Sequence, residues 1–200
     1  MIAIVFFNLV GVLVFLFIFW KRLKEDYIGN QIFGISVIML ISLVLSRMIA
    51  NQFAPDFWFW FSLIGQIFAI SLGVLRYHTK LIETFEAGVV AYLPLFAFYF
   101  LSDAVKNSNL SSLFGSVVAA LLFVLFFVID KRYKKFTWYK SGRVGFSGLF
   151  VVTLFFVIRS IVALIWDGVL SFSSSYDFYF SMIVVLSSIF VIYKLGRVER

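Results

Sequence analysis

The chain contains no cysteine, a single histidine and few charged residues. Without cysteine there can be no disulfide, no thiolate metal ligand and no cysteine nucleophile. The histidine, His78, stands beside Arg76 and Lys80, and no histidine–carboxylate spacing typical of a metal site occurs in the sequence. Charged residues make up 14% of the 200 residues, whereas soluble domains carry about 25%. The sequence therefore predicts no metal, no cofactor and no soluble domain.

Apolar residues dominate the composition. Hydrophobic residues make up 63% of the chain, aromatic residues 21%, and the mean hydropathy is +1.06. A membrane-crossing helix takes about 20 apolar residues, so the chain has room for about six or seven. The formal net charge of +7 is spread over short segments beside apolar runs, which is typical of a membrane-orientation signal. We predict a single integral membrane domain over residues 1–200 that binds no nucleic acid.

Seven apolar runs separated by polar breaks predict an all-α, polytopic membrane helix bundle. The predicted spans are Ile2–Trp20, Ile28–Ala50, Phe57–Leu75, Ala87–Leu101, Leu113–Ile129, Val144–Trp166 and Phe178–Leu195. The fourth span is short and contains Pro94, which a membrane helix tolerates when neighbouring groups satisfy the freed carbonyl. The aromatic run Phe57–Phe61 predicts an interfacial belt. Glycines such as Gly65 and Gly148 predict close approach between helices.

The distribution of basic residues predicts the orientation of the bundle. Of the 17 Lys and Arg residues, 14 follow the odd-numbered spans, whereas Lys106 is the only one in the alternate connections. Since cytoplasmic loops carry the excess of Lys and Arg, the N-terminus is predicted outside and the C-terminus in the cytoplasm. The remaining two, Arg47 and Arg159, lie inside spans two and six. Both are therefore expected in the outer half of the bilayer.

An arginine within a span needs a partner, because its burial costs about 2.5–3.5 kcal/mol on insertion scales. The acidic residues near the outer ends of the spans are all assigned to loops: Asp56, Asp103, Asp167 and Asp177. Arginine binds phosphate bidentately, so we predict that Arg47 and Arg159 share the phosphate of an outer-leaflet lipid. Gln66 and Asn109 are predicted as polar neighbours of that ligand. The alternatives are snorkelling to the headgroups, a structural bond from Arg159 to a carbonyl, and a helix–helix hydrogen bond for Gln66.

Several strings resemble motifs of the prolipoprotein diacylglyceryl transferase family. LSRMIANQ, residues Leu45–Gln52, is similar to the family's G-[AG]-R-hydrophobic-G-Y motif, with Arg47 at its arginine. SGLFVVTLFFVIRSIVALI, residues Ser147–Ile165, resembles S-G-L-F…Y-G…R-F-hydrophobic-hydrophobic-E, with Arg159 at its arginine. WFSLIG, residues Trp60–Gly65, resembles H-G-G-L-I-G. The resemblance implies a seven-span protein of the bacterial cytoplasmic membrane.

Other positions depart from the family pattern. Trp60 stands where the family has a histidine, and in NLSSLFG, which sits where the family has H-P-[ST]-Q-L-Y-E, Asn109 and Gly115 replace its histidine and its glutamate. The resemblance implies binding of phosphatidylglycerol and transfer of its diacylglyceryl group to the lipobox cysteine of a prolipoprotein signal peptide. The missing histidine and glutamate favour an alternative, a non-catalytic protein that binds a lipid or a partner. A small-solute transporter is a third alternative, but it predicts internal repeats, and the spans show no clear one.

Overall fold

The computed structural model describes residues 2–133, 144–166, 171 and 176–197 of the chain. These residues form seven α-helices and no β-strand. The helices are α1 (Ile2–Leu23), α2 (Gly29–Phe53), α3 (Trp58–Tyr77), α4 (Leu81–Asn107), α5 (Leu110–Asp130), α6 (Phe146–Ile165) and α7 (Tyr176–Gly196), with a 3₁₀ turn at Pro55–Phe57. Each of the seven is long and apolar enough to cross a membrane. The predicted all-α fold is confirmed, and the chain is a multi-pass membrane protein.

The first helix shows how the apolar residues divide between core and lipid. Val5, Leu9, Leu13 and Phe17 recur at every fourth position and are more than half exposed. On the opposite side, Phe15, Phe19 and Leu23 are buried against residues of α2, α3 and α4. A helix with apolar residues on both sides needs an apolar solvent on its outer face, which only the lipid acyl chains supply.

The prediction of a short fourth span is wrong, because α4 is the longest helix, with 27 residues. It begins six residues before the predicted start and ends six residues after the predicted end. The acidic residues Glu83 and Glu86 interrupt the apolar run, yet Glu86 is buried and ion-paired inside the bundle. Pro94 is also buried within the helix. This length lets α4 contact α1, α3, α5 and α6 and places it at the centre of the fold.

Tight turns reverse the chain between α3 and α4 and between α4 and α5. His78 after α3 and Ser108 after α4 adopt left-handed backbone conformations, with φ of 54° and 50°. Contacts between the helices place the ends of α1, α3, α5 and α7 beside the starts of α2, α4 and α6. We call this side the Arg22 end, after the last charged residue of α1, and the opposite side the Asp177 end, after the acidic residue in the first turn of α7.

Candidate functional site

Arg159 is neutralised by a carboxylate of the protein itself. Its Nη2 lies 2.5 Å from Oδ1 of Asp177, and the two side chains are 3% and 0% exposed. Ser171 accepts two further hydrogen bonds, at its Oγ from Nη1 and at its carbonyl oxygen from Nη2, both at 2.6 Å. The prediction that Arg159 has no protein counter-ion is therefore wrong. The alternative, a structural bond from Arg159 to a carbonyl, is observed.

Aromatic rings of α3 complete the Arg159 site. The guanidinium carbon lies 4.0 Å from the ring centre of Phe59 and 5.4 Å from that of Trp60. The indole Nε1 of Trp60 donates to Oδ1 of Asp177 at 2.7 Å. Both rings are buried, in a cluster with Phe156 of α6 and Val185 of α7. The predicted interfacial belt is therefore wrong for these two residues, which hold an ion pair in the core.

The sequence analysis assigned Asp177 to a loop because the seventh span was predicted to begin at Phe178. The helix starts two residues earlier, at Tyr176, so Asp177 lies in its first turn, where the helix dipole favours a negative charge. A usable signal was present: a buried arginine needs a partner, and Asp177 stands next to the predicted span. Of the other predicted outer acids, Asp56 is exposed and Asp103 accepts from Ser112 and Asn107; Asp167 lies outside the described residues.

A small cavity of about 50 Å³ opens beside Arg159 between α5 and α6. Its walls are mainly apolar, with Ser111 and Ser171 as further polar residues. Typical ligand pockets measure roughly 300 Å³ or more. The volume at Arg159 is therefore far below that of a pocket that encloses a lipid headgroup, which agrees with an arginine already held by protein groups.

Arg47 has a different environment, although it also lies at the Asp177 end. It is half-buried near the end of α2, with its guanidinium carbon 4.3 Å from the ring centre of Trp58. Its Nη1 donates to the hydroxyl of Tyr99 at 3.0 Å. Within the described part of the chain, no carboxylate lies at ion-pair distance from Arg47. Among the described residues, its positive charge therefore meets only neutral groups.

The two predicted polar neighbours serve the fold instead. Gln66 is buried, accepts the hydroxyl of Tyr92 and donates to the carbonyl of Met39 at 3.1 Å, so it joins α2, α3 and α4. Asn109 caps α5, where its Oδ1 accepts from the backbone N–H of Ser111 at 3.1 Å. No hydrogen bond given for the described residues joins either side chain to Arg47 or Arg159, and the helix–helix alternative for Gln66 is the one observed.

A second cluster of charges lies at the Arg22 end, and the sequence analysis missed it. Arg22 of α1 makes two bonds to Asp130 of α5, at 2.9 Å and 2.8 Å, and also pairs with Glu86 of α4. The hydroxyl of Ser147 in α6 approaches Asp130 at 3.4 Å. All three charged residues stand just outside the predicted spans: Arg22 follows the first span, Glu86 precedes the fourth and Asp130 follows the fifth.

The turn between α1 and α2 carries a smaller polar group at the same end. Tyr27 donates to Glu83 at 2.6 Å and accepts from the backbone N–H of Lys80 at 3.0 Å. Burial, together with the hydrogen bond to Glu83, raises the pKa of Tyr27 above its ordinary value. His78 is exposed nearby, at the end opposite to Arg47 and Arg159, so it cannot act as a general base for either.

Comparison of the chain with protein-family models, with curated proteins and with solved structures finds no match. The resemblance to the diacylglyceryl transferases therefore stays a prediction from short strings.

Proposed function

We propose that this chain binds the phosphate of an anionic phospholipid, of the phosphatidylglycerol type, through Arg47. The observation that carries the proposal is a half-buried arginine without a carboxylate partner among the described residues, six residues before the end of a membrane-length helix. With the orientation predicted from the Lys and Arg residues, this depth lies just below the outer headgroups of a bacterial cytoplasmic membrane.

The contacts of Arg47 suit a phosphate better than a structural role. The guanidinium has five N–H donors in a planar fork, and only one described hydrogen bond uses them, the bond to Tyr99. The guanidinium carbon lies over the ring of Trp58, 4.3 Å from its centre, and such a cation–π contact contributes about 0.5–2 kcal/mol. This contact and the bond to Tyr99 hold the guanidinium in place and leave four of its five N–H donors without a described partner. At headgroup depth such a guanidinium can donate two parallel hydrogen bonds to two phosphate oxygens.

Arg159 acts in this proposal as a structural residue rather than as a second phosphate ligand. Its charge is balanced by Asp177, and its Nη groups already donate to Ser171. A phosphate at this site would have to compete with a buried carboxylate. We therefore replace the shared-phosphate hypothesis by a single-arginine site, and the Arg159–Asp177 pair joins α6 to α7.

Lipid retention by the purified protein tests the proposal. The wild-type chain and Arg47→Gln are reconstituted in nanodiscs of mixed phosphatidylglycerol and phosphatidylcholine, and the lipid that stays bound after extraction is measured by native mass spectrometry. We expect phosphatidylglycerol enrichment to fall at least several-fold in Arg47→Gln. Arg76→Gln is the matched control, since Arg76 is exposed in the last turn of α3, at the Arg22 end of the bundle and away from Arg47. Equal enrichment in wild type and Arg47→Gln overturns the proposal.

Diacylglyceryl transfer to a prolipoprotein signal peptide is a second candidate function, favoured by the two arginine-containing strings. In that case Arg47 would stabilise the charge on the leaving glycerol phosphate, and the acceptor thiol would come from another protein. Expression in cells depleted of their own transferase separates the candidates. Restored lipoprotein maturation supports the enzyme, whereas its absence beside intact phosphatidylglycerol enrichment leaves a lipid-binding protein.

A further inference from the structure

We propose that Glu86 binds one exchangeable proton in the buried junction that it forms with Arg22 and Asp130. The inference concerns the Arg22 end of the bundle and does not depend on the lipid site at Arg47. Ionisable residues inside membrane spans commonly mark proton or ion pathways.

The junction joins four helices through charged groups. Arg22 reaches from the last turn of α1 to Glu86 in the second turn of α4 and to Asp130, the last residue of α5. The first turn of α6 closes the junction, with Gly148 packed against the Glu86 side chain. Glu86 is 1% exposed, so protein atoms surround it on every side.

The charges in the junction do not balance when all three groups are ionised. Two carboxylates face a single guanidinium, which leaves one net negative charge beside a residue that water hardly reaches. No further charged residue of the described chain bonds to this group; the next acid on α4, Glu83, is held by Lys80 and Tyr27 in the turn. An uncompensated buried charge costs free energy, and a buried ionisable group usually becomes neutral by changing its protonation state. One bound proton restores neutrality.

The hydrogen bonds show which carboxylate takes the proton. Asp130 uses both of its oxygens to accept from Arg22 in the bidentate geometry of an ionised carboxylate. Glu86 accepts from Arg22 through Oε1 only, which leaves Oε2 as the oxygen that can carry hydrogen. A metal cation fits the junction less well, because it takes about six oxygen ligands, and three of the four carboxylate oxygens already accept from the guanidinium.

The exposure of the junction indicates the side on which a proton would exchange. The side chains of Arg22 and Asp130 are 29% and 19% exposed, whereas that of Glu86 is 2% exposed. The junction therefore meets the solution at its Arg22 and Asp130 side chains, and we expect the proton of Glu86 to exchange on this side of the bundle.

Infrared difference spectroscopy of the full-length protein in nanodiscs tests the proposal. A pH step from neutral to alkaline in sodium-free buffer should remove the carbonyl band of one protonated carboxylic acid. We expect Glu86→Gln to lack this band and Glu83→Gln, the control one turn away on α4, to keep it. A wild-type protein without the band at neutral pH overturns the proposal, and so does a band that persists in Glu86→Gln.

Asp130→Asn provides a second, sharper variant that keeps Glu86 in place. It leaves one carboxylate and one guanidinium, a balanced pair, so the proton is no longer needed and the band should disappear although Glu86 is still present. A band unchanged in this variant contradicts the charge argument. A wild-type band lost on adding sodium at constant pH means that the site takes a metal cation, which also overturns the proposal.

Discussion

Arg47 and Arg159 are both arginines at the Asp177 end of the bundle, but their neighbours give them different roles. Asp177 turns Arg159 into half of a buried ion pair that joins α6 to α7. Arg47 meets an aromatic face and a hydroxyl, which orient the guanidinium without neutralising it. The role of an arginine therefore depends on which groups the fold places within about 4 Å of it. The sequence alone identifies the arginine but not its partner.

Asp177→Asn should destabilise the protein by about 3–5 kcal/mol, because it leaves the buried guanidinium of Arg159 uncompensated. Unfolding of the detergent-solubilised protein measures this loss. Asp56→Asn is the matched control, since Asp56 is exposed and should unfold like wild type. The double variant Asp177→Asn with Arg159→Gln should lose less stability than the two single losses added together. Equal stability of Asp177→Asn and Asp56→Asn contradicts the buried ion pair.

Tyr27 should titrate above the ordinary tyrosine value of 10.0, because burial and its hydrogen bond to Glu83 favour the neutral phenol. The neutral Tyr27 phenol stabilises the folded protein fully at pH values below the ordinary tyrosine pKa. This stabilisation is lost as the pH rises through the raised pKa of the folded state. The difference in phenolate absorbance between wild type and Tyr27→Phe measures the titration. Glu83→Gln should lower the midpoint, and an unchanged midpoint would show that the bond to Glu83 does not contribute.

The limits of the helices could be predicted where hydrophobicity alone determines them. They could not be predicted where a charged residue is buried inside the bundle. Six of the seven helices follow the apolar runs closely, since a membrane span requires a continuous apolar segment. The predicted limits of α4 were too narrow because Glu86 was treated as a terminus, and Asp177 was missed because it was assigned to a loop. Both acids are held by arginines from distant positions, Arg22 and Arg159. Such pairings depend on which helices become neighbours, which hydropathy does not specify.

Gly148→Ala tests the close contact between α6 and α4. A Cβ at this position would lie 3.2 Å from the Glu86 Cα and 3.1 Å from its Cγ, so the helices would have to move apart. Overpacking of this kind costs typically about 1–3 kcal/mol, which the detergent unfolding midpoint should report. Gly29→Ala is the control, because a Cβ there meets no atom within 4 Å. Equal midpoints for the two variants would mean that α6 has room to accept the methyl group.

The molecule as a whole has two chemically different ends joined by seven apolar helices. The Arg22 end holds the carboxylate-rich junction and most of the described basic residues, and the Asp177 end holds the buried Arg159 pair and Arg47, which has no carboxylate partner among the described residues. With the orientation predicted from the Lys and Arg residues, the proposed lipid-phosphate site at Arg47 would lie in the outer leaflet and the proposed proton site at Glu86 would exchange with the cytoplasm. Orientation therefore links the two proposals to their compartments.

Single-cysteine labelling determines this orientation, and the absence of native cysteine gives a clean background. Glu25→Cys lies in the exposed turn after α1, and Ser108→Cys lies in the exposed turn after α4. In intact cells a membrane-impermeant maleimide should label Ser108→Cys and leave Glu25→Cys unlabelled until the membrane is permeabilised. Neither change alters a Lys or Arg, so the charge pattern that sets the orientation is preserved. The reverse pattern would place Arg47 at the cytoplasmic leaflet and the Glu86 junction outside, and it would move each proposed ligand to the opposite side of the membrane.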